Sequence, residues 1–250
     1  MGDRIVCRYS SGAPSLVASK LAIAEYGHGR VRIVKSDTRS EHEDNARFDR
    51  EASEWLGHEI EYVSSSEYRD IWHVFEKERF IVSHQGAKCR TALKMVPFYD
   101  FWLPSDTLIF GYTADSSDVA RAVRLQENSA EKMAFPLIER NLTRTDCYAM
   151  IARAGIELPM MYRLGFKNNN CRGCPKGGMG YWNKIREYFP DDFERMAAIQ
   201  RDLGPGSGFH RRRGERITLD QLLPEDGRHE DDLDFECSIM CAIAETEIAA

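Results

Sequence analysis

The sequence predicts an α/β fold, a Rossmann-like parallel sheet flanked by helices, with a helical C-terminal portion carrying a cysteine site. Short apolar runs alternate with helix-length amphipathic stretches through the first part of the chain. Strands separated in this way join through right-handed crossovers into a parallel sheet. The cysteine site rests on two close pairs, Cys171-x-x-Cys174 and Cys237-x-x-x-Cys241.

Taken in order, residues 4–9 read as a buried strand cut off by Ser10-Ser11-Gly12-Ala13-Pro14. Leu16, Lys20, Leu21 and Ile23 then keep helical spacing until Gly27 and Gly29. Val31–Val34 is a second strand running into Asp37-Thr38, and Ser40 with Glu43 has the form of a capping box. Phe48, Ala52, Trp55 and Leu56 share the face of the following helix, with Gly57 just past its end. Residues 60–63 and 107–110 are the third and fourth strands. Ligands of parallel sheets bind beyond the carboxyl ends of the strands, which points to the polar loops 10–15, 37–41 and 111–118. Helices are expected over 117–125, 143–154 and 182–203, the last broken at Pro190.

The 250 residues suit one medium domain, large enough to bury a core without disulfides. Three segments are expected: a nucleotide-binding domain with the cysteine site over 1–200, a flexible charged loop over 201–236 and a cysteine-containing tail over 237–250. A net charge of −6 argues against a generally basic coat for nucleic acid and leaves room for a local basic patch. Arg211 to Arg213 form such a patch beside an acidic run, a pattern that favours a solvated surface loop over a grip on a phosphate backbone. No apolar run is long enough to span a membrane and the first residues lack a signal-peptide core, so a cytoplasmic protein is expected. Seven cysteines in a reducing compartment more often hold metal or do chemistry than pair.

Three constellations carry chemistry. The small residues Ser10, Ser11, Gly12 and Ser15, between a strand and a helix, let a backbone approach phosphate, and a plain capped turn would use the same residues. The loop lacks a Gly-Lys-Ser/Thr ending and is not a Walker loop. Cys171-Arg172-Gly173-Cys174 supplies two thiolates from one turn, as a tetrahedral metal or a cubane cluster needs. Cys7, inside the first strand, is core, and His42 and His84 are assigned no role. Lys88, Lys94 and Arg121 are candidates for an anionic ligand.

Ser10-Ser11-Gly12-x-x-Ser15 resembles the pyrophosphate loop of the adenine-nucleotide alpha-hydrolase-like superfamily. Asp37-Thr38 is similar to the Asp-Thr-Gly that follows this loop in phosphoadenosine phosphosulfate (PAPS) reductases. Cys89-x-x-x-x-Lys94-x-x-Pro97 and Gly111-x-x-x-Asp115, with Arg121 downstream, resemble later segments of the same family. Phe135-Pro136-Leu137-Ile138, Asp146-Cys147 and Asn170-Cys171-x-x-Cys174-x-x-Gly177 are similar to a phage and bacterial branch. The resemblance spans residues 4–200. It departs at Pro14, where ATP-cleaving members carry Asp, at Arg39, which replaces the Gly of Asp-Thr-Gly, and at Thr113, in the place of an Arg.

The resemblance implies an adenine nucleotide, PAPS or ATP, held by Ser10, Ser11, Gly12, Ser15, Asp37, Thr38, Gly111 and Arg121. It implies a [4Fe-4S] cluster, with zinc as the alternative, on Cys89, Cys171 and Cys174. Cys147 is the candidate fourth ligand, with Cys237 or Cys241 in its place as alternatives. Cys237 would be the thiol that attacks substrate sulfur, and Lys94 would neutralise the anionic end. The activity implied is sulfonucleotide reduction or related sulfur chemistry. Two alternatives stand beside it: ATP-dependent adenylylation of a nucleobase or nucleic-acid acceptor, with magnesium, and nucleotide binding without catalysis around a structural zinc. A homodimer is an expected assembly.

Overall fold

The chain threads a five-stranded parallel sheet whose strand order places one crevice at its centre. In the computed structural model residues 3–83, 86–228 and 238–249 are described. The strands are β1 (Ile5–Tyr9), β2 (Val31–Asp37), β3 (Ile60–Ser64), β4 (Thr107–Ile109) and β5 (Lys132–Ala134). Their order across the sheet is β3-β2-β1-β4-β5, every pair parallel. The chain moves outward from β1 through β2 to β3, then returns to the other side of β1 for β4. Ile5 is therefore in register with Val31 on one side and Thr107 on the other. This reversal makes the β1/β4 crevice the topological switch point, where ligands of such sheets bind.

Alternation along β1 sorts the core into two faces. Ile5, Cys7 and Tyr9 point into the larger cluster, packed under α1 (Ala13–Tyr26), α2 (Asn45–Leu56), α6 (Arg144–Arg153) and α9 (Ile239–Ala249). Val6, with Val34 and Leu108, points the other way onto Phe98 of the helix α4 (Val96–Phe101). The helix α5 (Ser116–Glu127) follows β4 and makes the crossover to β5. As expected for core, Cys7 is buried and its thiol is pushed up to about 12 by burial.

A separate apolar cluster lies among α3 (Ile71–Glu78), α7 (Met179–Tyr188) and α8 (Pro190–Leu203), around Phe75, Trp182 and Met196. Pro190 divides α7 from α8, because a proline is accepted in the first turn of a helix but not in its interior. The segment read from its charges as a loop contains a hairpin of β6 (His210–Arg212) and β7 (Glu215–Ile217). Ile217, Leu219 and Leu222 anchor it in this second cluster, an apolar signal that the flanking arginines and acids obscured.

Ser40 does not form the expected capping box. The helix begins later, at Asn45, and the Ser40 hydroxyl accepts the Ile71 N–H and donates to the Thr38 carbonyl. It ties the β2 loop to α3 instead. Gly57 stands just past α2 in the left-handed conformation, as expected.

Candidate functional site

β1 delivers the chain to the crevice at Ser10, and α1 carries it away from Ala13. Between them Ser11 adopts a positive φ of 52°, which an L-residue takes up at a cost. Buried Asp49 holds it there, accepting the Ser11 hydroxyl at 2.6 Å and the Tyr9 hydroxyl at 2.8 Å. The other Asp49 oxygen meets Lys35 at 2.7 Å and the Tyr62 hydroxyl at 3.0 Å. The Ser15 hydroxyl closes the turn, donating to the Gly12 carbonyl at 2.8 Å and accepting the Ser10 N–H at 3.1 Å. Gly111, after β4, presses against this first turn of α1. A Cβ there would stand 2.6 Å from the Ser15 Cα and 2.8 Å from the Pro14 carbonyl carbon, so only glycine lets the strands' ends approach.

The crevice between these loops is a cavity of about 210 Å³ lined by Ser10, Gly12, Ser15, Gly111 and the arginines Arg8, Arg121 and Arg144. Phe110 and Tyr112 form an aromatic wall, with Arg121 stacked 4.6 Å over the Tyr112 ring. Arg8 is the unusual member. Its guanidinium lies 3.8 Å over the Phe98 ring, and burial pulls its pKa down to about 10. Among the described residues it forms no ion pair with a carboxylate. A cation even partly withdrawn from water normally has a counter-charge, and half-buried Arg8 lines the cavity. Asp118, which pairs with Arg121 at 2.9 Å, is the one acid in the lining.

The cysteines lie beside the crevice. Cys171 follows Asn170, itself in the cavity wall, and its sulfur is 3.2 Å from the Thr38 hydroxyl. Cys171 and Cys174 stand close enough to Cys89 to raise its pKa, and Cys174 raises that of Cys171, but burial is the larger cause. It pushes Cys89 up to about 12 and Cys171 up to about 11. Burial also works against the Lys94 ammonium, yet the three sulfurs and Glu41 outweigh it and its pKa ends above the ordinary lysine value. Glu41 links this group back to the Ser10–Ser15 loop. One of its oxygens is 3.8 Å from Lys94 and the other 3.0 Å from Lys35, the partner of Asp49.

Ser10, Ser11, Gly12, Ser15, Gly111 and Arg121 are thus brought together at the crevice, and Thr38, Lys94, Cys89, Cys171 and Cys174 beside it. Asp37 is at the end of β2, where its carboxylate accepts the Arg39 N–H at 2.9 Å. Lys88 pairs with Glu78 at 2.9 Å. Cys147 is not brought to the other thiols. It lies on the inner face of α6, fully buried in the cluster under α1, with Cys241 of α9 as its neighbour. Cys237 and His84 lie outside the described residues. Sequence reasoning missed Arg8 and Asp49. Arg8 occupies a strand position indistinguishable from an edge charge, and Asp49 has only its place on the apolar face of α2 to mark it.

The trio tests the expected metal. Three soft thiols suit iron–sulfur or zinc by their chemistry. Among the described residues, however, no three Cys, His, Asp or Glu side chains stand in metal-holding geometry. A four-cysteine site completed by Cys147 does not fit, because that thiol belongs to another core. A ligand set of three from this trio, completed from elsewhere, fits the donor chemistry.

No family model matches the sequence, and no curated protein matches it. Among solved structures the chain is similar to the phosphate complex of PAPS reductase from Candida auris, with a TM-score of 0.51 and 13% identity. The match covers 67% of this chain and 81% of that one. The fold is therefore that of PAPS reductase. Among the described residues no helix is long and apolar enough to cross a membrane.

Proposed function

We propose that this chain is a nucleotide-binding enzyme that takes the phosphate or sulfate end of an adenine nucleotide into the β1/β4 crevice and performs sulfur chemistry beside it, as a sulfonucleotide reductase does. The observation that carries this reading is Arg8, a half-buried guanidinium facing the cavity without a carboxylate partner among the described residues. An oxyanion would supply the missing counter-charge, with Arg121 and Arg144 closing around it and Ser10 and Ser15 offering hydroxyls. Phe110 and Tyr112 would face the nucleoside.

In the reductase reading a thiolate attacks the substrate sulfur, the sulfur–oxygen bond to phosphate breaks, and the nucleotide leaves with that oxygen. A second thiol then displaces sulfite and leaves a disulfide. Cys237 is the proposed attacking thiol and Lys94 the cation that steadies departing negative charge. Cys89, Cys171 and Cys174 are the proposed seat of a [4Fe-4S] cluster, zinc being the alternative. When bound, such a group would supply a cationic centre that keeps these thiols ionised.

A second reading, ATP-dependent adenylylation of a nucleobase, is favoured by the cation-lined surface next to the crevice. Turnover separates the two. Sulfite released from PAPS by anaerobically purified protein supports reduction, and its loss in Cys237→Ser assigns the thiol. AMP or pyrophosphate released from ATP, with no sulfite from PAPS, supports the transferase. Release of neither product overturns the enzyme assignment. Metal and sulfide analysis of the same preparation is expected to give about four irons and four sulfides, whereas about one zinc and no sulfide would remove the cluster.

A further inference from the structure

The crevice opens onto a run of connected cavities. Asn168 and Asn170 line both the crevice and a neighbouring cavity of about 430 Å³. Lys176 joins that cavity to a third of about 610 Å³, and Val82, Ser83 and Arg216 join the third to a fourth of about 250 Å³. Beyond the crevice no Asp or Glu among the described residues lines any of them. The chain as a whole carries a net charge of −6, so this strip of one sign is a marked local departure.

Among the described residues Arg79 of the fourth cavity pairs with a carboxylate, Asp202, but the other cations of the strip form no such pair. Arg144 donates to the Lys167 carbonyl at 2.7 Å, Arg211 to the Gly214 carbonyl at 2.6 Å, Arg216 to the Gly206 carbonyl at 3.1 Å, and Lys184 to the Gly165 carbonyl. Backbone carbonyls fix these side chains without cancelling their charge. The hairpin sharpens the point: Arg211 and Arg216 are directly opposed across β6 and β7. Like charges in that register destabilise a hairpin. Arg212, on the opposite face, does have a carboxylate partner, Asp226 at 3.0 Å. Rings are spaced among the cations: Tyr181 and Phe209, half-buried, in the second and third cavities and Phe80, exposed, in the fourth. Phe80 is 40% exposed, a cost for a large apolar side chain in water.

We propose that this strip is a binding track for a single-stranded nucleic acid that leads into the crevice. Grooves of one charge interleaved with aromatic rings recognise single strands through their phosphates and unstacked bases. A mononucleotide would leave most of the strip empty, and a duplex hides the base faces the rings need. The track stands on its own residues and does not depend on which mononucleotide the crevice accepts.

Fluorescence anisotropy with 5′-labelled twelve-nucleotide strands of RNA and DNA tests it. Binding of either strand is expected to weaken with salt, log K falling against log salt with a slope of about −3, as four to five phosphate contacts at about −0.7 each require. The double variant Arg211→Glu/Arg216→Glu, on an exposed hairpin, is expected to lose affinity at least about tenfold. Lys167→Glu/Lys176→Glu, on a different segment, should do the same, which guards against local misfolding of one variant. Both should still fold by circular dichroism, and the hairpin variant should bind PAPS or ATP as the parent does. Neither strand binding, both variants binding a strand unchanged, a blunt duplex binding as tightly as the strands, or a polyglutamate peptide competing equally well would each overturn the proposal.

Discussion

At the scale of single residues, the crevice depends on two positions whose roles are steric and electrostatic. Gly111 sits where a methyl group would meet backbone atoms of Pro14 and Ser15 at 2.8 Å or less. Backbone cannot rotate away as a side chain can, so Gly111→Ala must push α1 from β4. A loss of about 1–3 kcal/mol is expected, with nucleotide binding weakened beyond what stability explains. Thermal melting and titration of the same variant check both. Asp49 is the counter-charge of buried Lys35 and the clamp on Ser11. Asp49→Asn leaves Lys35 with Glu41 alone. Removing one partner of a buried pair costs about 3 kcal/mol or more, and denaturant unfolding should show it. Burial opposes the Lys35 charge, but Glu41 and Asp49 outweigh it and raise its pKa. The stabilisation from this raised pKa is thus fully present below the ordinary lysine value and fades only in strong alkali.

Among the elements, the β6–β7 hairpin has the clearest acid sensitivity. His210 is 8% exposed, and burial lowers its pKa from 6.5 to about 4, with Asp226 opposing weakly. The unfolded imidazole therefore binds a proton through a window in which the folded one does not. Stability should fall as pH drops from 7 to 4, by about 3 kcal/mol at the rate of 1.36 kcal/mol per unit. Urea unfolding across that range should show the slope, and His210→Phe should flatten it. A slope unchanged by the substitution would place the titrating group elsewhere. The hairpin also shows what sequence pattern hides. Half of the residues in its two three-residue strands are arginine, and the apolar residues that anchor it follow after β7 begins. By contrast β1, β2, β3 and β4 are rich in the apolar and β-branched residues that strands favour, and each was legible, β2 alone running three residues beyond its expected end at Val34.

For the whole molecule, strand order decides where function sits. The order β3-β2-β1-β4-β5 puts loops 10–15 and 111–118 on either side of one crevice, as reasoning from parallel topology anticipates. The small residues of those loops were readable because the need for close backbone approach limits the choice of side chain. The cationic lining was less so. Arg8, Arg144 and Lys176 come from three distant segments, and only the folded chain shows that they share one surface with the thiols. Cys147 illustrates the opposite case, a cysteine within the family-like segment Asp146-Cys147 but folded into an apolar core away from the trio.

The most direct measurement is a calorimetric titration of the parent protein and Arg8→Met with PAPS and with ATP. Methionine keeps an unbranched apolar side chain beside the Phe98 ring in place of the stacked guanidinium and removes the charge, so the fold should be unharmed. Saturable one-site binding of at least one nucleotide to the parent, weakened at least about tenfold in Arg8→Met as the loss of a charged hydrogen bond requires, is the predicted result. Neither nucleotide binding the parent, or equal affinity in parent and variant, would contradict the assignment of the crevice.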